Sequence, residues 1–367
     1  MPQSIIPRKL KQGDTIAFIS PSARVNHELA PAIWRAKSLF KSKGYHVREF
    51  FSFDSDIQSS ISNRLQELRV AFADPTVAAI ICTATGSSLT ELLPGLIADK
   101  QLHETIRKNP KIVVGYGDMT GLHWFLHKLT GLCTFYGPSV ISDLSEPPIN
   151  ANENKQGYEK SALAFTVTNL FQAIGEPGII ARVARSPTYV HELPIAIRDP
   201  YSLEPPTPVP NSSWVWIRDG IGRGRLFGGS LTNMVRLGGV SAIRPDWRDR
   251  IVFLESGVDE NHGTAIPLET VRQALGDLIA QGVFDEVAGL VIGRPFGYDT
   301  PEEREQYIDV INGAFCQGPM SAKQFPIVFN VDIGHTAPKI TLPFDAWAIL
   351  DSDSDQLFIP RRVVTDE

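Results

Sequence analysis

The stretch KIVVGYGDMTGLHWFLHKL, residues 111–129, decides how this chain is read. An apolar, β-branched run enters a Gly-Tyr-Gly-Asp turn, and the turn opens onto an amphipathic helical pattern. A strand that turns sharply into a helix is the kind of corner on which nucleophilic enzymes mount a Ser or Cys, because the tight turn exposes that side chain beside the helix N-terminal N–H groups. Here the central position is Gly117, which has no side chain. The corner is present and its nucleophile is missing.

Moving outward, the same alternation recurs through the N-terminal half. TIAFISPS reads as a buried strand and PAIWRAKSLFKSKG as a helix closed by Gly44. YHVREF is a second strand, followed by the helix SNRLQELRVAFADP, stopped by Pro75. VAAIICTAT, KIVVGYGD and LCTFYGPS are further short apolar runs separated by helical patterns. Strands of this kind, buried on both faces, predict a parallel sheet covered by helices on each side. Ligands of such sheets bind at the carboxyl ends of the strands. Two strand ends carry suitable turn chemistry, Thr-Gly-Ser-Ser at 85–88 and Gly-Tyr-Gly-Asp at 115–118.

Between about 143 and 212 the texture changes. SEPPINANENKQG and SLEPPTPVPNSS are polar and Pro-rich and read as surface loops, with the helix SALAFTVTNLFQAIG between them. Beyond them RIVFLES and EVAGLVIG are buried strands flanking the helix IPLETVRQALGDLIAQG. A chain of 367 residues exceeds one typical core. The expected organisation is an N-terminal domain over 1–175, a linker over 176–212 and a C-terminal domain over 213–367.

The formal net charge of −6, with no block of Lys or Arg, argues against a grip on nucleic-acid phosphates or anionic lipid. The opening MPQSIIPRKLKQGD lacks the apolar centre of a secretory signal, and no run approaches a membrane span, so a cytoplasmic protein is expected. Cys82, Cys133 and Cys316 are odd in number and widely spaced, which indicates neither a disulfide framework nor a zinc site.

Several motifs fail on their own geometry. GIGRGR at 220–225 is followed by LFGG, a strand pattern where a dinucleotide loop needs a helix, so a hairpin turn is expected. DSDSD at 351–355 has Gln356 and Arg362 where a calcium loop needs Gly and Glu, and reads as a solvated turn. His123 and His127 have the i, i+4 spacing of metal ligands without an intervening HExxH glutamate, and roles on the helix surface or behind the site are expected. Glu255, ending RIVFLES, and His335, in DIGHTAPKITLPF, could supply the base-and-orienter half of a hydrolytic triad if one cleft holds both.

These segments, in order, resemble the LD-carboxypeptidase and microcin C immunity peptidase family of serine peptidases. LKQGDTIAFISPS resembles its opening strand, and RVAFADPTVAAIICTATGSSLTELLP its loop-bearing segment. NPKIVVGYGDMTGLHWFLHKLTGLCTFYGP is similar to its nucleophile region, followed by GGSLTNMVRLGG, VFLES and GHTAPKITLPF. The resemblance implies an α/β fold of two domains: a flavodoxin-like or Rossmann-like parallel sheet, then an α/β domain with a barrel-like sheet. It places the catalytic acid at Glu255, the catalytic His at His335 and the serine position at Gly117. It also implies oxyanion or substrate contacts from Gly86, Ser87, Ser88 and Asp118, a homodimer, and neither metal nor organic cofactor. The family hydrolyses amides near a free carboxylate.

Three positions depart from the family pattern. Gly117 offers no hydroxyl, Thr-Gly-Ser-Ser replaces Gly-Gly-x-Gly so that Ser88 stands where Gly is usual, and Ala84 precedes the loop where Arg is common. Loss of a triad nucleophile costs about 10⁶ in rate. The expectation is therefore a member of this family acting on a small peptide-like or carbonyl metabolite through Glu255 and His335 as an acid/base pair, without a serine acyl-enzyme. Two alternatives stand beside it: a working peptidase inactivated by design, and a ligand-binding pseudoenzyme. Among reserve hydroxyls, Ser88 is favoured over Thr120, which lies one turn into the helix.

Overall fold

The computed structural model describes residues 4–147, 159, 161–175, 178–259 and 263–366. Its strands are β1 (Thr15–Ile19), β2 (His46–Phe50), β3 (Val77–Cys82), β4 (Ile112–Gly115), β5 (Phe135–Tyr136), β6 (Ala181–Arg182), β7 (Thr188–Tyr189) and β8 (Val209–Pro210). They continue with β9 (Val215–Arg218), β10 (Ile221–Ser230), β11 (Arg250–Glu255), β12 (Gly289–Gly293), β13 (Ile327–Val331), β14 (Leu342–Pro343), β15 (Trp347–Asp351) and β16 (Gln356–Ile359).

The apolar runs of the N-terminal half become one sheet in the order β14-β5-β4-β3-β1-β2. Its pairs are parallel except β14 against β5. Ile16, Ala17, Phe18, Ile80 and Ile81 are fully buried, as unbroken apolar strands require when helices cover both faces. Each large side chain so buried is worth about 1.5–3 kcal/mol. The covering helix Ile57–Ala73 starts at a capping box in which Asp56 accepts from the Ser59 N–H and Ser59 returns a bond to the Asp56 N–H. The helix ends just before Pro75.

The second sheet runs β6-β16-β15-β10-β11-β12-β13-β9, with β10 to β13 parallel; β7 and β8 form a separate ribbon. Strands β9 and β10 are joined through Asp219 and Gly220 alone, yet three strands separate them in the sheet order. So short a link is possible only because this sheet curls round on itself. This corrects the expected GIGRGR hairpin: residues 221–225 lie inside β10 and pair with β15, not with β9. Alternation puts Gly222 and Gly224 on the inner face, where a Cβ would overlap the carbonyl oxygens of Ala288 and Asp249. DSDSD does form the turn between β15 and β16.

The segment 145–147 of the expected first loop is buried, with Glu146 packed inward; residues 148–157 of that loop lie outside the described residues. SLEPPTPVPNSS is largely exposed. Chain position does not strictly partition the sheets, because β14 belongs to the N-terminal sheet although it follows β13 of the second. Residues 332–341 therefore cross from one sheet to the other. No helix among the described residues is long and apolar enough to cross a membrane.

Candidate active site

The carboxyl ends of the two parallel sheets face each other. From the first come the loop after β3 and the corner after β4; from the second come Glu255 at the end of β11 and His335 beyond β13. Gly117 sits in the corner with φ +64°, a left-handed conformation that L side chains rarely adopt. A Cβ on it would stand 3.3 Å from His335 Cε1. The three segments expected to converge do so.

His335 Nδ1 donates to Glu255 Oε2 at 2.8 Å, a bond open to the neutral and the charged ring alike; in the neutral ring it leaves Nε2 as an acceptor. No residue among those described pairs with Nε2. The ring packs edge-on against Tyr116, with centroids 4.9 Å apart, and over Gly257, where a Cβ would come within 3.1 Å of Cε1. Glu255 is buried, and Gly334 allows its close approach. Burial alone would raise its pKa; the charge and hydrogen bond of His335, a hydrogen bond from Tyr136 and the charge of Lys339 outweigh it and hold the carboxyl below its ordinary value.

Tyr136 links the two halves of the site. Its hydroxyl donates to Glu255 Oε1 at 2.5 Å and accepts the Gly117 N–H at 2.9 Å. Burial, then the Glu255 charge, pushes the phenol well above its usual range, so it remains a donor. The corner and the acid are thus tied by one buried side chain.

The expected donor set is narrower than the sequence suggested. The Asp118 N–H is taken by Thr85 Oγ1 at 2.9 Å, and the Ser88 N–H by Ser22 Oγ at 3.2 Å. Ser88 Oγ itself accepts from the Arg64 guanidinium at 3.0 Å, which turns it from the role of reserve hydroxyl. Thr120 Oγ1 donates to Gly117 O at 2.6 Å and accepts the Ser230 N–H at 3.0 Å, so it too is committed. Among the described residues the N–H groups of Gly86 and Ser87 have no protein acceptor. Gly86 has no room for a side chain, because a Cβ would lie 2.5 Å from Ser22 Oγ.

His123 and His127 are buried, so of the two expected places the helix surface is corrected, and His123 takes the one behind the site. The ring nitrogens of His123 lie 2.8 Å from Thr134 Oγ1 and 3.0 Å from Gly115 O, and burial drives its pKa down to about 4. It braces the strand that leads into the corner. His127 Nε2 lies 3.5 Å from Asp345.

Sequence reasoning overlooked three side chains here. Thr85 was read only as backbone of an oxyanion loop, yet a Cβ on Gly117 would overlap its hydroxyl oxygen. Tyr136 was read only as part of a strand. Arg236, in the helix Leu231–Leu237 after β10, lies 3.6 Å from Asp118 Oδ1 and lines a cleft with Thr232, Val258 and Ile266. The alternation of polar and apolar residues signals none of these roles.

Known proteins share this arrangement of sheets. The profile of the LD-carboxypeptidase N-terminal domain matches residues 16–137, and that of the LD-carboxypeptidase C-terminal domain matches 223–350. The microcin C7 self-immunity protein MccF of Escherichia coli is 25% identical over 372 residues, 99% of this chain and 98% of that protein. An MccF-like protein of Bacillus anthracis superposes with a TM-score of 0.80 at 28% identity, over 98% of this chain and 100% of that one. A structure of MccF in complex with glutamyl sulfamoyl guanosine superposes with a TM-score of 0.80 at 25% identity, over 98% and 99% of the two chains. With both domain profiles matched in order and relatives aligned over nearly its whole length, the chain belongs to the LD-carboxypeptidase family, among the relatives of the microcin C self-immunity proteins.

Proposed function

We propose that this chain acts on a small peptide-like or carbonyl substrate bearing a free carboxylate, with His335 as general acid/base, Glu255 as its orienting partner, and no acyl-enzyme at residue 117. The observation that carries this reading is the 2.8 Å bond from His335 Nδ1 to a buried carboxylate, with the Cε1 edge of the same ring 3.3 Å from where a Cβ on Gly117 would stand. An imidazole so held can take and return a proton at Nε2 while its charged form is stabilised from behind. The N–H groups of Gly86 and Ser87 are the remaining donors for a developing oxyanion. Arg236, 42% exposed at its side chain, supplies positive charge to the cleft for the substrate carboxylate. The aminoacyl-sulfamoyl nucleoside bound by the MccF relative supports a ligand of this size and kind.

The test is turnover, followed by mass spectrometry, of LD-dipeptides, aminoacyl-sulfamoyl nucleosides and small carbonyl acids. Conversion is expected with the natural chain and should fall by about 10²-fold or more in His335→Ala. Undiminished conversion by that variant overturns the role assigned to His335.

A further inference from the structure

The space vacated at the corner is not empty. A side chain on Gly117 would point between two groups: its Cβ would overlap Thr85 Oγ1 and lie 3.3 Å from His335 Cε1. Thr85 Oγ1 and the imidazole edge therefore both lie against the point that a corner side chain would occupy. Thr85 belongs to the loop after β3, not the corner after β4.

The bonding around this hydroxyl leaves it uncommitted: it accepts one hydrogen bond and donates none among the described residues. Thr85 Oγ1 accepts the Asp118 N–H, a donor suited to steady negative charge on that oxygen. Its own hydrogen has no acceptor among the described residues, and His335 Nε2 has no donor. A hydroxyl with an uncommitted hydrogen and the edge of a ring with an uncommitted Nε2 thus flank one position, and a carboxylate already holds that ring. Ser22 donates its hydroxyl to the Asp118 carboxylate and Thr120 to the Gly117 carbonyl, so both hydrogens are committed, and the nearest neighbours of the corner Cβ position come from Thr85 and His335 rather than from Ser87 or Ser88. The β-branched Thr side chain has fewer χ1 choices than Ser and stays poised from a loop.

We infer that Thr85 supplies the nucleophilic hydroxyl of this site, so that the working set is Thr85, His335 and Glu255. This rests on the assignment of His335 as the base and goes beyond it by naming the attacking atom. As Thr85 Oγ1 bonds to the carbonyl carbon of a substrate amide, its proton passes to His335 Nε2. The carbonyl electron pair moves onto oxygen, facing the N–H groups of Gly86 and Ser87. The carbonyl then re-forms, the carbon–nitrogen bond breaks and the imidazolium gives its proton to the departing amine, leaving an ester on Thr85. Water completes the cycle: His335 takes one of its protons, its oxygen bonds to the acyl carbon, and the ester bond breaks with the proton returned to Thr85 Oγ1. Amide and water become amine and carboxylic acid.

The experiment is covalent labelling of the full chain with a fluorophosphonate and a β-lactone, read by intact mass and peptide mapping. One adduct, mapped to Thr85, is expected; Thr85→Ser should keep it. Thr85→Val should label at least about 100-fold more slowly with an unchanged circular dichroism spectrum and melting temperature, as should His335→Ala. Absence of an adduct on the natural chain, or an adduct elsewhere that Thr85→Val leaves untouched, overturns the inference. Because mapping on the natural chain and Thr85→Ser stand without Thr85→Val, a misfolded valine variant does not shield it. An adduct at another residue that disappears in His335→Ala would retain the base and remove only Thr85; an adduct at Thr85 that persists in His335→Ala would retain the hydroxyl and remove the base.

Discussion

Tyr136 joins the corner to the acid through a single oxygen, accepting from Gly117 and donating to Glu255. Its hydrogen bond favours the charged carboxylate, so removing it raises the Glu255 pKa toward the ordinary range. In Tyr136→Phe the carboxylate protonates at higher pH than in the natural chain, and His335 loses its ionised partner sooner as acid is added. The acidic limb of a pH–rate profile should move to higher pH, while the alkaline limb stays in place; an acidic limb that does not move would show that Tyr136 leaves the acid alone. The Glu255 and His335 positions were legible because each ends an apolar run or stands in a recognisable motif. Thr85 and Tyr136 were not, since their partners lie 33 and 119 residues away in the chain. Local patterning carries no information about such contacts.

At the scale of elements, the strand-to-helix corner is clamped to the second sheet. Thr120 in the helix Thr120–Phe125 accepts the N–H of Ser230 at the end of β10, and Trp124 Nε1 donates to Gly228 O at 3.0 Å. Gly229 must lack a side chain because Thr120 lies against it. Thr120→Val keeps the shape and strips the hydroxyl, leaving the buried Ser230 N–H without its acceptor. A loss of about 1–3 kcal/mol in stability is expected, measured by urea unfolding. The parallel strands of the first sheet were legible because burial on both faces makes them continuous apolar runs. Strand β10 was misread because Gly222 and Gly224 look like turn residues until the carbonyls of Ala288 and Asp249 are seen to exclude any side chain there. That exclusion is a property of the curled sheet, not of the segment.

For the molecule as a whole, a buried cluster beside the site couples stability to pH. Lys339 Nζ lies 2.6 Å from Asp143 and 3.7 Å from the centroid of the Tyr116 ring, and Glu146 is buried near this pair. Burial, then the charge of Asp143, raises the Glu146 pKa from 4.5 to about 8. Between those values the folded chain holds a proton that the unfolded chain releases, so this contribution to stability is complete at low pH and declines as pH rises to about 8. Glu146→Gln, which cannot ionise, should flatten that decline. Melting temperatures measured from about pH 5 to pH 8 check this, and parallel curves for the two proteins would refute it.

The passage of residues 332–341 between the sheets has a mechanical consequence. The imidazole is carried by a strap anchored at one end to each half of the molecule. Any guest bulky enough to wedge those halves apart would drag the strap and draw the base off its mark. On that geometry a folded polypeptide would disarm the pair by prising the jaws apart, whereas a slender guest would leave them at rest.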